Sequence, residues 1–265
     1  MGSEMNEIPD RLYKFIPQKF GSRMLQGNIQ VNTLYRCRKD YEGYDIARSD
    51  PNEGIVTKVY RSPKENILVG DDVSDLELKS KAIDSLENFN FSDSNVIDVN
   101  KVDLGIKLKG SQIIVYGDIK INEGIGDAFI YCTSTEFHEN LFNKFGNWCI
   151  EVTNLHLLIE TMKNKIASKV NKMYNKTRIK YTDIFYAAGK CKYGSREVIM
   201  PKSVDSLEGV FLKGNEFDDQ YEFRFCFIPY IVIDGNPNLP KEGELDKIII
   251  KIDEPDRYFK FYKEK

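Results

Sequence analysis

Seven residues near the end of the chain alternate without a break, with Tyr221, Phe223, Phe225 and Phe227 on one side and Glu222, Arg224 and Cys226 on the other. A repeat of two is that of an extended strand, whose successive side chains point to opposite faces. Four large aromatics on one face must be buried against something, so the segment predicts a strand whose aromatic face fills a core. Leu12–Ile16 is β-rich, and Ile29–Tyr35 places Ile29, Val31, Thr33 and Tyr35 on one face. Gln112–Tyr116, Ala128–Cys132, Trp148–Val152 and Lys247–Ile252 read as further strands.

Helical signals lie between these strands. Pro17 favours the first turn of a short helix over Gln18–Gln26, which Gly27-Asn28 stops. Ser74-x-x-Glu77 has the form of a capping box and opens a helix to about Phe89, with Leu78, Ala82, Leu86 and Phe89 on one side. The clearest helix follows Asn154 as its cap, with Leu155, Leu158/Ile159, Met162, Ile166, Val170 and Met173 as one apolar stripe. Residues 36–54 (RCRKDYEGYDIARSDPNEG) and 88–100 (NFNFSDSNVIDVN) are polar and read as loops. The expectation is an α+β protein, a single domain over 1–265 with a mixed or antiparallel central sheet system and flanking helices. Residues 61–110 are a candidate insertion, and 1–9 a disordered or tag-derived start.

Composition narrows the function classes. With 41% hydrophobic and 30% charged residues the chain is not globally disordered, and a net charge of -3 draws it to neither nucleic acid nor membrane at long range. No apolar run approaches the roughly 18 residues of a membrane span, and the start carries no signal-peptide core. The five cysteines lack C-x-x-C spacing, which argues against a disulfide framework or zinc site and for a reduced cytoplasm. The chain's two histidines, His138 and His156, read as solvated surface residues, and their scarcity disfavours metal sites; no metal is expected. The sequence contains no P-loop, dinucleotide fingerprint, G-x-S-x-G or H-E-x-x-H.

Two segments carry chemistry. Tyr131-Cys132-Thr133-Ser134-Thr135 ends a strand, and Phe217-Asp218-Asp219-Gln220-Tyr221-Glu222 is a turn running into the alternating strand. Gln220 and Glu222 are two apart, so both project from the face opposite the aromatics. A carboxylate and an amide at the mouth of a sheet suit a sugar, where a Glu can bind ribose hydroxyls and stabilise oxocarbenium-like charge.

These residues resemble the ADP-ribosyltransferase toxin superfamily, in the branch with an Arg, a Ser-Thr-Ser strand and a terminal Gln/Glu-x-Glu. The resemblance implies NAD as substrate, with Glu222 catalytic and Gln220 and Phe217 facing the acceptor. It also implies Thr133 and Ser134 bracing the NAD site. The nearest counterparts of the family's first-strand Arg are Lys14 and Arg36. A wider resemblance, carried by LYKFIP, DPNEG, IYCTST, FGNWCIEV and FLKGNEFDDQYEFRF, is to an uncharacterised bacterial family with an aromatic-x-x-Glu-x-Glu-x-Arg segment. Here Gln220 replaces the first Glu and Arg224 keeps the last position. Such families occur in conflict systems, which implies a toxin or phage-defence role and a macromolecular acceptor, protein or nucleic acid.

Two other readings stand beside this one. The basic stretch 163–180, with Lys163, Lys165, Lys169, Lys172, Lys176, Arg178 and Lys180, suits a non-catalytic module that contacts nucleic acid or an anionic partner, or else is a solvated helix face. Asp50, Glu53 and Glu222 could serve a metal-dependent nuclease, though without recognisable ligand spacing. Arg36, Arg48, Asp50 and Glu53 either line the same cleft or fix a long loop.

Overall fold

The β-rich opening segment forms a strand, and Pro17 caps the helix behind it with its carbonyl, which accepts from the N–H groups of Phe20 and Gly21. A computed structural model describes residues 8–39, 50, 52, 54–61, 67–69, 96–109, 112–174, 183–199, 206–233 and 236–265. In chain order the elements begin β1 (Arg11–Ile16), α1 (Gln18–Leu25), β2 (Asn28–Thr33), α2 (Leu34–Lys39), β3 (Ile55–Arg61) and β4 (Ile67–Val69). There follow β5 (Val96–Lys109), β6 (Gln112–Gly124), β7 (Phe129–Ser134), α3 (Asn140–Phe145), β8 (Trp148–Thr153) and α4 (Leu155–Tyr174). Next come β9 (Asp183–Lys190), β10 (Lys192–Tyr193), β11 (Glu197–Ile199), β12 (Leu212–Lys213) and β13 (Glu222–Ile233). The chain closes with β14 (Asn236–Asn238), β15 (Ile248–Lys251) and β16 (Phe259–Glu264). Helices and antiparallel sheet together make this an α+β protein.

Chain contacts divide it into two compact units. The first comprises residues 1–54, 125–195 and 210–265 and holds a nine-stranded sheet. Its main path runs β14-β13-β7-β1-β8-β16, with β9 on β13 and the pair β15-β2 joining at β7. The strands ending at Ser134 and beginning at Glu222 are direct antiparallel neighbours. One sheet face meets α4, whose Leu158, Met162, Ile166 and Val170 are buried with Phe223, Phe225 and Phe227. A smaller cluster of Phe15, Leu141, Phe142 and Cys149 seats α3. Gly27 is required where α1 turns into β2. Its φ is 86°, and a Cβ there would collide with the Ile252 carbonyl.

The second unit comprises residues 55–124 and 196–209, and the stretch 61–110 falls within it. Its five-stranded sheet is built on the long β5–β6 hairpin, with β3 and β4 antiparallel to β6 and β11 parallel to β3. The helix expected from Ser74 to about Phe89 lies outside the described residues.

Several local readings are corrected. Residues from Val96 onward form strand and not loop, because pairing with β6 outweighs the turn preference of Asp98 and Asn100. The strand read through Tyr35 stops at Thr33, and 34–39 is helical where strand to Tyr35 and then loop were expected. Thr33 Oγ1 accepts from the Arg36 N–H at 3.2 Å, and Asp127 Oδ1 accepts from the Tyr35 N–H at 3.2 Å, so the helix start is capped from two places. Asn154 does not cap α4 with its side chain; it sits at φ 52°, and its amide donates to the Arg257 carbonyl at 2.6 Å. Met173 leaves the apolar stripe and is 39% exposed.

Candidate active site

The site forms where the sheet forks. Along one edge β7 pairs with β13 in unbroken register, from Phe129 opposite Phe227 to Ser134 opposite Glu222. The other edge is shared: Ser134 faces Tyr13 of β1, whereas Phe129 and Ile130 face Thr33 and Asn32 of β2. Among the described residues no strand pairs with this edge of β7 between those contacts. Lys14 reaches into the gap and donates to the Cys132 carbonyl, its ammonium 4.9 Å from the centre of the Tyr131 ring. A part-buried carbonyl on an edge without a paired strand is thereby satisfied.

A cavity of about 100 Å3 opens at this fork. Tyr13, Lys14 and Phe15 line it from β1, Ile130, Cys132, Thr133 and Ser134 from β7, and Lys213, Gln220 and Glu222 from the β12–β13 region. Cys37 of α2 and Phe145 at the end of α3 complete the wall. The Thr133 hydroxyl donates to the Phe223 carbonyl at 3.1 Å and the Ser134 hydroxyl to the Glu136 carbonyl at 2.8 Å. The Thr133 hydroxyl therefore ties β7 to β13, whereas that of Ser134 closes the turn that follows its own strand.

Glu222 is anchored in a buried ionic network. Arg224 Nε donates to Glu222 Oε1 at 2.7 Å, and Lys213 Nζ pairs with Oε2. Lys213 also donates to Gln220 Oε1 at 2.7 Å, with its ammonium 4.8 Å from the centre of the Phe217 ring. Arg224 donates further to the Val210 carbonyl, and the Glu222 N–H donates to the Tyr193 hydroxyl at 2.6 Å. Burial pushes the Glu222 carboxyl up, but the Arg224 and Lys213 charges outweigh it and hold the group well below the usual carboxylate range. The carboxylate is thus ionised and fixed. Burial, reinforced by Glu222, raises the Cys132 thiol well above its ordinary value, so it is not a thiolate nucleophile.

Five residues singled out in the sequence, Lys14, Thr133, Ser134, Gln220 and Glu222, line this one cavity. Two do not. Arg36 pairs with Asp246 at 3.3 Å, and Phe217 is buried beneath Lys213, so it does not face an incoming acceptor. The Glu222-x-Arg224 pair is buried, because β13 is covered on both faces. Lys213 carried no signal in the sequence: it is one Lys among 38 basic residues, and only the fold brings it to Glu222.

Lys165 pairs with Asp253 at 2.7 Å, and Lys163 lies 3.9 Å from Asp183, so part of the basic face of α4 is matched by acids. Lys176, Arg178 and Lys180 lie outside the described residues, as do Arg48 and Glu53. Asp50 is buried and accepts from the Asn52 N–H at 3.0 Å. Among the described residues no group of three His, Cys, Asp or Glu side chains could hold a metal ion, and no helix is long and apolar enough to cross a membrane. The five cysteines are all described, and none is in a disulfide. No family model matches the sequence, and no curated protein or solved structure matches the chain.

Proposed function

We propose that the forked cleft takes the nicotinamide–ribose end of NAD and that the protein transfers ADP-ribose to a macromolecular acceptor, protein or nucleic acid. The observation that carries this reading is convergence: Lys14, the pair Thr133/Ser134 and the pair Gln220/Glu222, from three distant stretches of chain, line a single cavity. A cavity of about 100 Å3 is small beside the roughly 300–1,000 Å3 of most ligand pockets, so it encloses only part of that end and leaves the rest of the dinucleotide outside. Glu222 supplies a fixed negative charge beside the ribose as nicotinamide departs. An ionised carboxylate has about four lone-pair positions, so one bearing contacts from Arg224 and Lys213 retains the capacity to accept from ribose hydroxyls. Holding that charge in place before reaction avoids reorganisation as the oxocarbenium-like charge develops. A role in toxicity or phage defence fits such a transferase and belongs to the same proposal.

The test is nicotinamide release from NAD by the wild-type protein and Glu222→Gln, with cell lysate as the source of acceptor. Loss of one transition-state charge contact is worth on the order of 3 kcal/mol, so the variant should be about a hundredfold slower. A wild-type protein that neither binds NAD nor releases nicotinamide would end this reading.

A further inference from the structure

Resting on that reading, we infer that His138, held by Glu136, is the general base that deprotonates the acceptor, so that the acceptor's nucleophile is an N–H or O–H group. The carboxylate of the cavity, Glu222, is engaged by Arg224 and Lys213, and burial raises the Cys132 thiol. A base on the rim is therefore better placed to take the acceptor's proton.

The segment following Ser134 forms that rim. Ser134 lines the cavity and donates to the Glu136 carbonyl, and Phe137 stacks on Phe15, another lining residue, with ring centres 5.7 Å apart. One residue further, the His138 ring lies nearly flat on Tyr221, 4.5 Å between centres and 16° between planes. Tyr221 joins Gln220 to Glu222, and it holds an unusual left-handed backbone at φ 48°. The Thr135 N–H donates to its carbonyl at 2.8 Å, which ties the two segments together. A non-glycine residue kept in that region needs surrounding structure to hold it, and such positions cluster at functional sites. Here the Thr135 bond and the His138 stack do the holding.

His138 Nε2 lies 3.0 Å from Glu136 Oε2. A carboxylate oxygen only accepts, so Nε2 is the donor to Glu136, and in the neutral ring Nδ1 keeps the lone pair. An imidazole oriented by a carboxylate is a recurrent general-base arrangement. In the step, the bond from ribose C1′ to the nicotinamide nitrogen breaks and its electron pair leaves with neutral nicotinamide. The acceptor's lone pair forms the new bond to C1′, and its proton passes to His138 Nδ1 and on to water.

The experiment incubates biotin-labelled NAD and cell lysate with wild type, His138→Ala and His138→Gln. It measures labelled macromolecule per nicotinamide released, with and without added imidazole. Gln keeps a donor for Glu136 but cannot take up a proton, so it separates lost chemistry from lost structure. The expected result is a fall of at least tenfold in that ratio for both variants, with imidazole restoring transfer by His138→Ala. Unchanged ratios, or a loss that imidazole does not relieve, would overturn the role of His138 while leaving the NAD reading intact. Absence of nicotinamide release from wild type would instead remove the reading beneath it. Protease and nuclease treatment of the labelled product then assigns the acceptor to protein or nucleic acid.

Discussion

Glu222 illustrates how one side chain serves both stability and chemistry. Arg224 is 1% exposed and Lys213 5%, and both take their countercharge from this carboxylate. Glu222→Gln therefore removes the carboxylate that the two buried cations share, and breaking such a network costs roughly 3–5 kcal/mol. The variant should melt well below wild type, so its slower turnover must be read at a temperature where both are folded. Lys213→Met should be milder than Glu222→Gln, because Glu222 keeps Arg224 as partner. Equilibrium unfolding in urea tests that order, and equal losses would mean that Lys213 contributes as much as the rest of the network. His138 is the residue whose reading changed most: in the sequence it is a polar-loop histidine, and the fold stacks it on the tyrosine that joins Gln220 to Glu222.

Among the elements, α4 was the most legible because helical spacing is a local property. Its stripe positions from Leu155 to Val170 are buried, but Met173 in the last turn is exposed. Ile166→Ala should cost about 2–5 kcal/mol through lost burial and a residual cavity. Met173→Ala should stay within about 0.5 kcal/mol of wild type. Thermal melts of the two variants check the contrast, and similar losses would mean that the end of α4 is packed more tightly than its exposure indicates. Helix α2 shows the reverse case. The alternation through Tyr35 pointed to strand, whereas Thr33 caps a helix there, and the second cap comes from Asp127, 92 positions from Tyr35.

For the molecule as a whole, two buried carboxyls give opposite responses to pH. Burial raises Asp127 from its ordinary 3.8 to about 6, against hydrogen bonds from Tyr35 and Ala128 and the charge of Arg38. Its contribution to stability is fully present below 3.8 and is lost as pH rises through about 6. A shift of that size corresponds to about 3 kcal/mol. Glu222 is depressed, so its contribution is present above the ordinary carboxylate range and is lost as pH falls through and below it. Together they should place the stability maximum on the acid side of neutrality. Asp127→Asn should remove the decline between 3.8 and about 6 and leave the acid limb in place. Fluorescence of Trp148, the chain's one tryptophan, follows unfolding of the unit that contains the cleft. An unchanged pH profile in Asp127→Asn would show that Asp127 is ionised in the fold at no cost.

The strands and the long helix were open to reading in the sequence because periodicity of two or 3.6 depends only on near neighbours. The same is true of the shared face of Gln220 and Glu222, which follows from the pleat of a strand. Pairing of β7 with β13 and the fork that opens the cleft depend on contacts between residues some 90 positions apart, for which a single sequence carries no local signal. That is why Lys14 and Arg36 looked equivalent until the fork selected Lys14. It is also why Phe217, aromatic and next to the motif, seemed to face outward and is in fact buried under Lys213. The burial of Glu222 with two cations was likewise decided by tertiary structure, because whether a strand's polar face meets water or protein depends on what the rest of the chain lays across it.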